Sequence, residues 1–108
     1  MARGDRYACS MAGVRLIVQF TAETEEIADQ AIAAAVERCK AAQKEPGCVQ
    51  FEVFRSALRP EHYVLLEHWE SPEALEVHAQ GMSTNRPQPR PGIKRTREDY
   101  SYQVTSQS

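Results

Sequence analysis

At 108 residues the chain has room for one domain, with a core so small that association would add stability. Hydrophobic residues at 42% and charged residues at 26% fit a soluble globular protein. A net charge of −2 supplies no global field that would recruit nucleic acid or a membrane. The three cysteines, Cys9, Cys39 and Cys48, are odd in number and lack the C-x-x-C spacing of a metal site, which points to a reducing, cytoplasmic setting. Residues 1–11 contain no apolar run of signal-peptide type, and no later run is long enough to span a bilayer. They read as a flexible N-terminal extension ahead of one domain at 12–105.

The first element is a strand. Val14, Leu16, Val18 and Phe20 alternate with Arg15, Ile17 and Gln19, a period of two. Thr21 to Glu26 then bring a hydroxyl and carboxylates to a helix N-terminus, where negative charge is favoured. Ala28, Ile32, Ala35, Cys39 and Ala42 recur at four- and three-residue steps and predict one apolar helical stripe, rich enough in alanine to approach a sheet closely. Pro46-Gly47 ends that helix, because proline lacks an amide proton and glycine tolerates positive φ.

Two strands follow, Cys48 to Ser56 and His62 to Glu70, joined by a turn at 57–61. The second is apolar on both faces, with Tyr63, Leu65 and Trp69 on one side and Val64 and Leu66 on the other. A sheet with helices on one side alone should show a polar outer face. Something must therefore cover the second face, and a second copy of the chain is the economical answer.

Ser71-Pro72-Glu73 offers a capping hydroxyl, a proline at the first helical position and an acid in the first turn. Leu75 and His78, three apart, share a face of the helix it starts. That helix is expected to stop near Gly81. Three prolines within 83–92 predict an extended loop there, and 93–104 reads as a last strand. The order is β-α-β-β-α-β, an α+β, ferredoxin-like unit.

Residues capable of chemistry gather around Trp69. Leu65, Glu67 and Trp69 point the same way along their strand. Glu67 is either a structural acid paired within the fold, or a base or polar anchor inside a pocket. Trp69 belongs to the core, and its ring could also form a wall against a planar ligand, with the indole N–H as donor. His78 is the best single candidate for proton transfer, imidazole being the side chain that ordinarily titrates near neutral pH. The alternative is a histidine that favours the dipole at a helix C-terminus. Nine residues on from Trp69, its ring is expected over the sheet at roughly 10 Å from the indole, a gap for one planar aromatic. His68 should point away from Trp69, toward the second copy, and His62 should be solvated.

Other chemistries lack their signatures. There is no H-x-H, H-E-x-x-H or zinc spacing, and no G-x-G-x-x-G or G-x-x-x-x-G-K for a nucleotide. A basic cluster at Arg86, Arg90, Lys94, Arg95 and Arg97 lies near two tyrosines, but the aromatic pattern of an RNA-binding sheet is missing. Cys48 has no base nearby in sequence and reads as a small buried hydrophobe.

Glu45-Pro46-Gly47-Cys48, Phe51, Glu67-His68-Trp69-Glu70 and Ala74-Leu75-Glu76-Val77-His78 together resemble the antibiotic biosynthesis monooxygenase family, over roughly Val14 to Val104. The match is similar to its quinol-monooxygenase branch. The resemblance implies a homodimeric α/β barrel that oxidises a small aromatic, phenolic or quinol substrate with dioxygen and no metal, flavin or other cofactor. It implies His78 and Glu67 as the catalytic pair, with Trp69, Leu65, Leu75 and Phe51 around the substrate. Leu65 and Leu75 stand where the aromatic-polyketide oxygenases carry Asn and Tyr. Haem-degrading relatives have Trp at the position of His78 and a haem-ligating His further along; neither is here. Many relatives have a second His where this chain has Met82. The alternatives are a non-catalytic ligand-binding or dimerising module, or an isomerase, since related barrels move protons on small carbonyl compounds.

Overall fold

The computed structural model describes residues 12–84 and 90–103. The extension at 1–11 and positions 85–89 of the Pro-rich segment lie outside the described residues. The elements are β1 (Ala12–Ala22), α1 (Glu25–Ala42), β2 (Cys48–Arg55), β3 (His62–Trp69), α2 (Pro72–Thr84) and β4 (Ile93–Gln103). They form one four-stranded sheet in the order β2-β3-β1-β4, antiparallel throughout. This is the ferredoxin-like α+β unit that the changes of period predict.

Both helices lie on one face of the sheet. Helix α1 packs on β2, β1 and β3, while α2 packs on β1 and β3. Beneath them Val14, Leu16, Val18, Phe51, Tyr63 and Trp69 are buried, the alternate residues of their strands. The stripe of α1 that meets the sheet is Ala28, Ala31, Ala35, Cys39 and Ala42. Ile32 is displaced to its margin, where it packs on a second cluster around Tyr63, itself stacked on Phe20 at 4.8 Å between ring centroids. The strand β1 runs on through Thr21, so the helix cap is Thr24, whose Oγ1 accepts from the Ile27 amide at 3.1 Å.

Helix α2 starts as its sequence predicts, with Ser71 Oγ accepting from the Ala74 amide at 3.1 Å. It does not stop near Gly81 but continues to Thr84. A lone glycine costs a helix only about 0.5–1 kcal/mol, too little to end one that neighbouring residues support. The expected loop at 83–92 therefore begins later, and Arg90 to Gly92 are non-helical. A bulge in β2 between Cys48 and Gln50 leaves Val49 out of the ladder with β3.

Candidate functional site

The Glu45-Pro46-Gly47 turn is built to sit against α2. Backbone bonds from Glu45 N to Ala42 O (3.0 Å) and from Cys48 N to Glu45 O (3.2 Å) close it. Gly47 has φ 81°, and its carbonyl accepts from the Glu70 amide at 2.9 Å. A Cβ at Gly47 would lie 2.5 Å from the Ala74 Cβ. Only glycine allows both the left-handed backbone and this approach. The result carries the Glu45 side chain from the end of α1 to the flank of α2.

On β3, Glu67 and Trp69 are two apart and share the helix-side face. Trp69 is fully buried, and its Nε1–H donates to Glu67 Oε1 at 3.0 Å. Glu67 is the one charged side chain among the described residues classed as buried, and a buried carboxylate needs such a donor. Above the indole lies His78, with ring centroids 4.7 Å apart and planes at 35°. Phe51 meets His78 edge-on at 5.5 Å and Trp69 edge-on at 6.2 Å. His78 Nδ1 is 2.9 Å from Glu45 Oε1, and the His78 side chain is 10% exposed. Leu65 and Leu75 pack against the same core cluster as Phe51 and Trp69.

All six residues singled out from sequence thus come together: His78, Glu67, Trp69, Phe51, Leu65 and Leu75. Three expectations about them fail. The gap of roughly 10 Å between imidazole and indole is closed: α2 packs on β1 and β3, and the ring centroids of His78 and Trp69 are 4.7 Å apart. No planar molecule fits between them. Nor is His78 at a helix C-terminus: with α2 running to Thr84 it lies mid-helix, and the dipole explanation lapses. The indole N–H is also committed to Glu67 and is not offered to a ligand.

His68 and His62 stand apart from this cluster. His68 is on the outer sheet face, where burial and then the nearby Arg15 push its pKa down. His62 Nδ1 and Thr21 Oγ1 lie 3.2 Å apart. Burial is the main cause that pushes both Cys39 and Cys48 up, which fits small apolar packing and not nucleophiles. Among the described residues no group of three His, Cys, Asp or Glu is placed to hold a metal ion, and no helix is long and apolar enough to cross a membrane.

Sequence reasoning missed one contributor, Glu45, and the surroundings of Arg97. Glu45 was legible as part of the turn motif but not as the partner of a histidine 33 residues away. Arg97 belongs in sequence to the basic cluster. In the sheet it pairs with Val18, on the helix side, and its Nε donates to Asp99 Oδ1 at 2.7 Å. The Asp99 bond and charge, and further off Glu67, hold its pKa up. A pocket among the described residues opens elsewhere, at the β2 edge between Gln43, Cys48 and Glu52, with Phe51 as its one wall in common with the site.

A profile of the antibiotic biosynthesis monooxygenase family matches residues 14–88, which hold the whole cluster from Glu45 to His78. The chain belongs to this family. Solved structures share its fold. A conserved protein of Bacteroides thetaiotaomicron, described as a possible oxidoreductase, is 24% identical with a TM-score of 0.69, over 85% of this chain and 99% of that one. SnoaB from Streptomyces nogalater, a cofactor-independent oxygenase, is 16% identical with a TM-score of 0.59, over 86% and 95%. The heme-degrader MhuD from Mycobacterium tuberculosis is 20% identical with a TM-score of 0.62, over 88% and 98%. At these identities the likeness is one of fold. No curated protein matches in sequence.

Proposed function

We propose that this member of the antibiotic biosynthesis monooxygenase family joins dioxygen to a small aromatic, phenolic or quinol substrate, with no metal or flavin taking part. The observation that carries the reading is His78, paired to Glu45 at 2.9 Å and seated on the Trp69 ring. It is a mostly buried imidazole in an aromatic setting, suited to taking a proton from a phenol bound beside it. Family membership supports the reaction class, and the fold is one that a cofactor-independent oxygenase also uses.

In this reading His78 Nε2 takes the substrate's O–H proton. The phenolate passes one electron to dioxygen, and the resulting radical pair joins at a ring carbon, ortho or para to the oxygen, that bears a hydrogen. His78 returns its proton to the peroxide; the ring hydrogen then leaves as a proton, its bonding pair forms the carbonyl, and the O–O bond breaks with the outer oxygen departing as water. One oxygen atom ends in the new carbonyl and one in water, so electrons and atoms balance without an added reductant. Glu67 anchors the indole, Trp69 supports the imidazole, and Phe51, Leu65 and Leu75 give apolar surface beside it. The protein acts as a cytoplasmic homodimer, closed through the sheet face that bears Val64, Leu66 and His68.

Oxygen uptake with a panel of dihydroquinones and anthrones tests the reading. The expected result is one dioxygen consumed per carbonyl product, with His78→Ala lowering turnover about 10²–10⁴-fold and leaving the circular dichroism unchanged. Full activity in His78→Ala removes the base. Saturable binding without turnover identifies the binding module, and isomerisation of a carbonyl compound without oxygen uptake identifies the isomerase.

A further inference from the structure

The turn between α1 and β2 delivers a second carboxylate to the site, at a place where it controls the histidine. Glu45 Oε1 lies 2.9 Å from His78 Nδ1. An ionised carboxylate can only accept, so a bond of this length requires the proton on Nδ1. In the neutral ring Nε2 is then a bare acceptor. An unrestrained neutral imidazole in water mostly carries its proton on Nε2, the wrong nitrogen for a base working through that atom.

We propose that Glu45 is a positioning residue for His78, which fixes the neutral imidazole as the Nδ1–H tautomer and so presents Nε2 as the proton acceptor. This rests on the reading of His78 as the base. Several features hold the arrangement in place. The Glu45 backbone is tied on both sides, to Ala42 and to Cys48. The contact of Gly47 with Ala74 fixes the turn against α2. Trp69 below, at 4.7 Å, and Phe51 at the edge, at 5.5 Å, restrict rotation of the ring. Tautomer and orientation are therefore both set before substrate arrives.

The same groups suit the state that follows proton transfer. Once Nε2 is protonated, the cation lies against the Glu45 carboxylate and over the Trp69 face. A centroid distance of 4.7 Å is inside the reach of about 6 Å for a cation on an aromatic ring. A consequence for substrate choice follows. An acceptor at Nε2 takes a phenol, enol or hydroquinone with a free O–H, and has nothing to gain from the methyl ether of the same shape.

Long-range proton–nitrogen correlation spectra of the full chain test the proposal. Wild-type His78, in its neutral form, should show a protonated Nδ1 and a bare Nε2. Glu45→Ala should move the proton to Nε2 and lower kcat roughly 10- to 10²-fold with KM little changed. Glu45→Gln keeps an accepting oxygen, so it should retain the tautomer and lose less. The Glu45 side chain is 38% exposed and the bonds that close the turn are backbone ones, so these variants should fold. A wild-type ring protonated at Nε2 overturns the proposal, as does a Glu45→Ala variant with tautomer and kcat unchanged. Full turnover in His78→Ala, beside an intact Nδ1–H tautomer in the wild type, overturns the underlying reading instead. The two failures are thus distinguishable.

Discussion

Trp69 couples the stability of the core to the arrangement of the site, because its face carries His78 while its N–H satisfies Glu67. Trp69→Ala should cost about 3–5 kcal/mol in urea unfolding, as expected for a large ring removed from a packed core. Trp69→Phe is the sharper probe. It keeps an aromatic ring but leaves the buried Glu67 without its indole donor, which should cost about 1–3 kcal/mol. Adding Glu67→Leu to Trp69→Phe should recover part of that loss, since the orphaned carboxylate is then gone. Losses that simply add would show that the bond contributes nothing. Single residues were unevenly legible in the sequence. Glu67 and Trp69 could be assigned to one face because strand alternation is local. The partnership of Glu45 with His78 could not, since it depends on how a turn docks on a helix 33 residues further along.

Two glycines show how element geometry, and not residue type, decides a substitution. Gly47 has positive φ and touches Ala74; Gly81 lies inside α2 with open space where a Cβ would go. Gly47→Ala should lose at least about 1–2 kcal/mol from the left-handed backbone alone, with more from the clash. It should also pull Glu45 away from His78 and lower turnover. Gly81→Ala should gain about 0.5–1 kcal/mol. Thermal melting of the two variants checks both signs. A destabilised Gly81→Ala would mean that α2 ends where the sequence suggested. Element order, the Ser71 cap and both helix starts to within a few residues were readable from changes of period and from capping chemistry. The end of α2 was not, because a glycine marks a stop only when nothing beyond it packs. The closed gap between His78 and Trp69 was hidden for a related reason: spacing along a chain gives reach, while the depth at which a helix seats on a sheet depends on side-chain volumes across it.

At the scale of the molecule, the outer face of the sheet is unlike an ordinary solvent surface. Register aligns Phe54, Val64 and Gln19 in one row, and Glu52, Leu66 and Ile17 in the next, an apolar patch with a polar rim. Phe54 is 46% exposed. If this face closes a homodimer, an interface on the order of 1,600 Å² or more in total is expected. Leu66→Asp should then abolish the dimer in sedimentation, and a wild-type monomer at micromolar concentration would refute the assembly. His68 lies on the same face with a lowered pKa, through burial first and Arg15 second. As pH falls below the ordinary histidine value of about 6.5, the unfolded chain takes up a proton at this site before the folded one does. Stability should therefore fall with pH in that range and show no His68 contribution above it. His68→Gln should flatten the acid side of the urea midpoint against pH. The two outer strands add a constraint of another kind. A sheet edge is a template for further strands, and β-rich chains with flat, apolar edges grow into fibres. Here one edge, β2, is kinked at Val49, and the other, β4, runs through Lys94, Arg95, Arg97, Glu98 and Asp99. Neither is a good template. If the sheet face does close a homodimer, edges of this kind disfavour further growth by strand addition, which would leave the assembly finite.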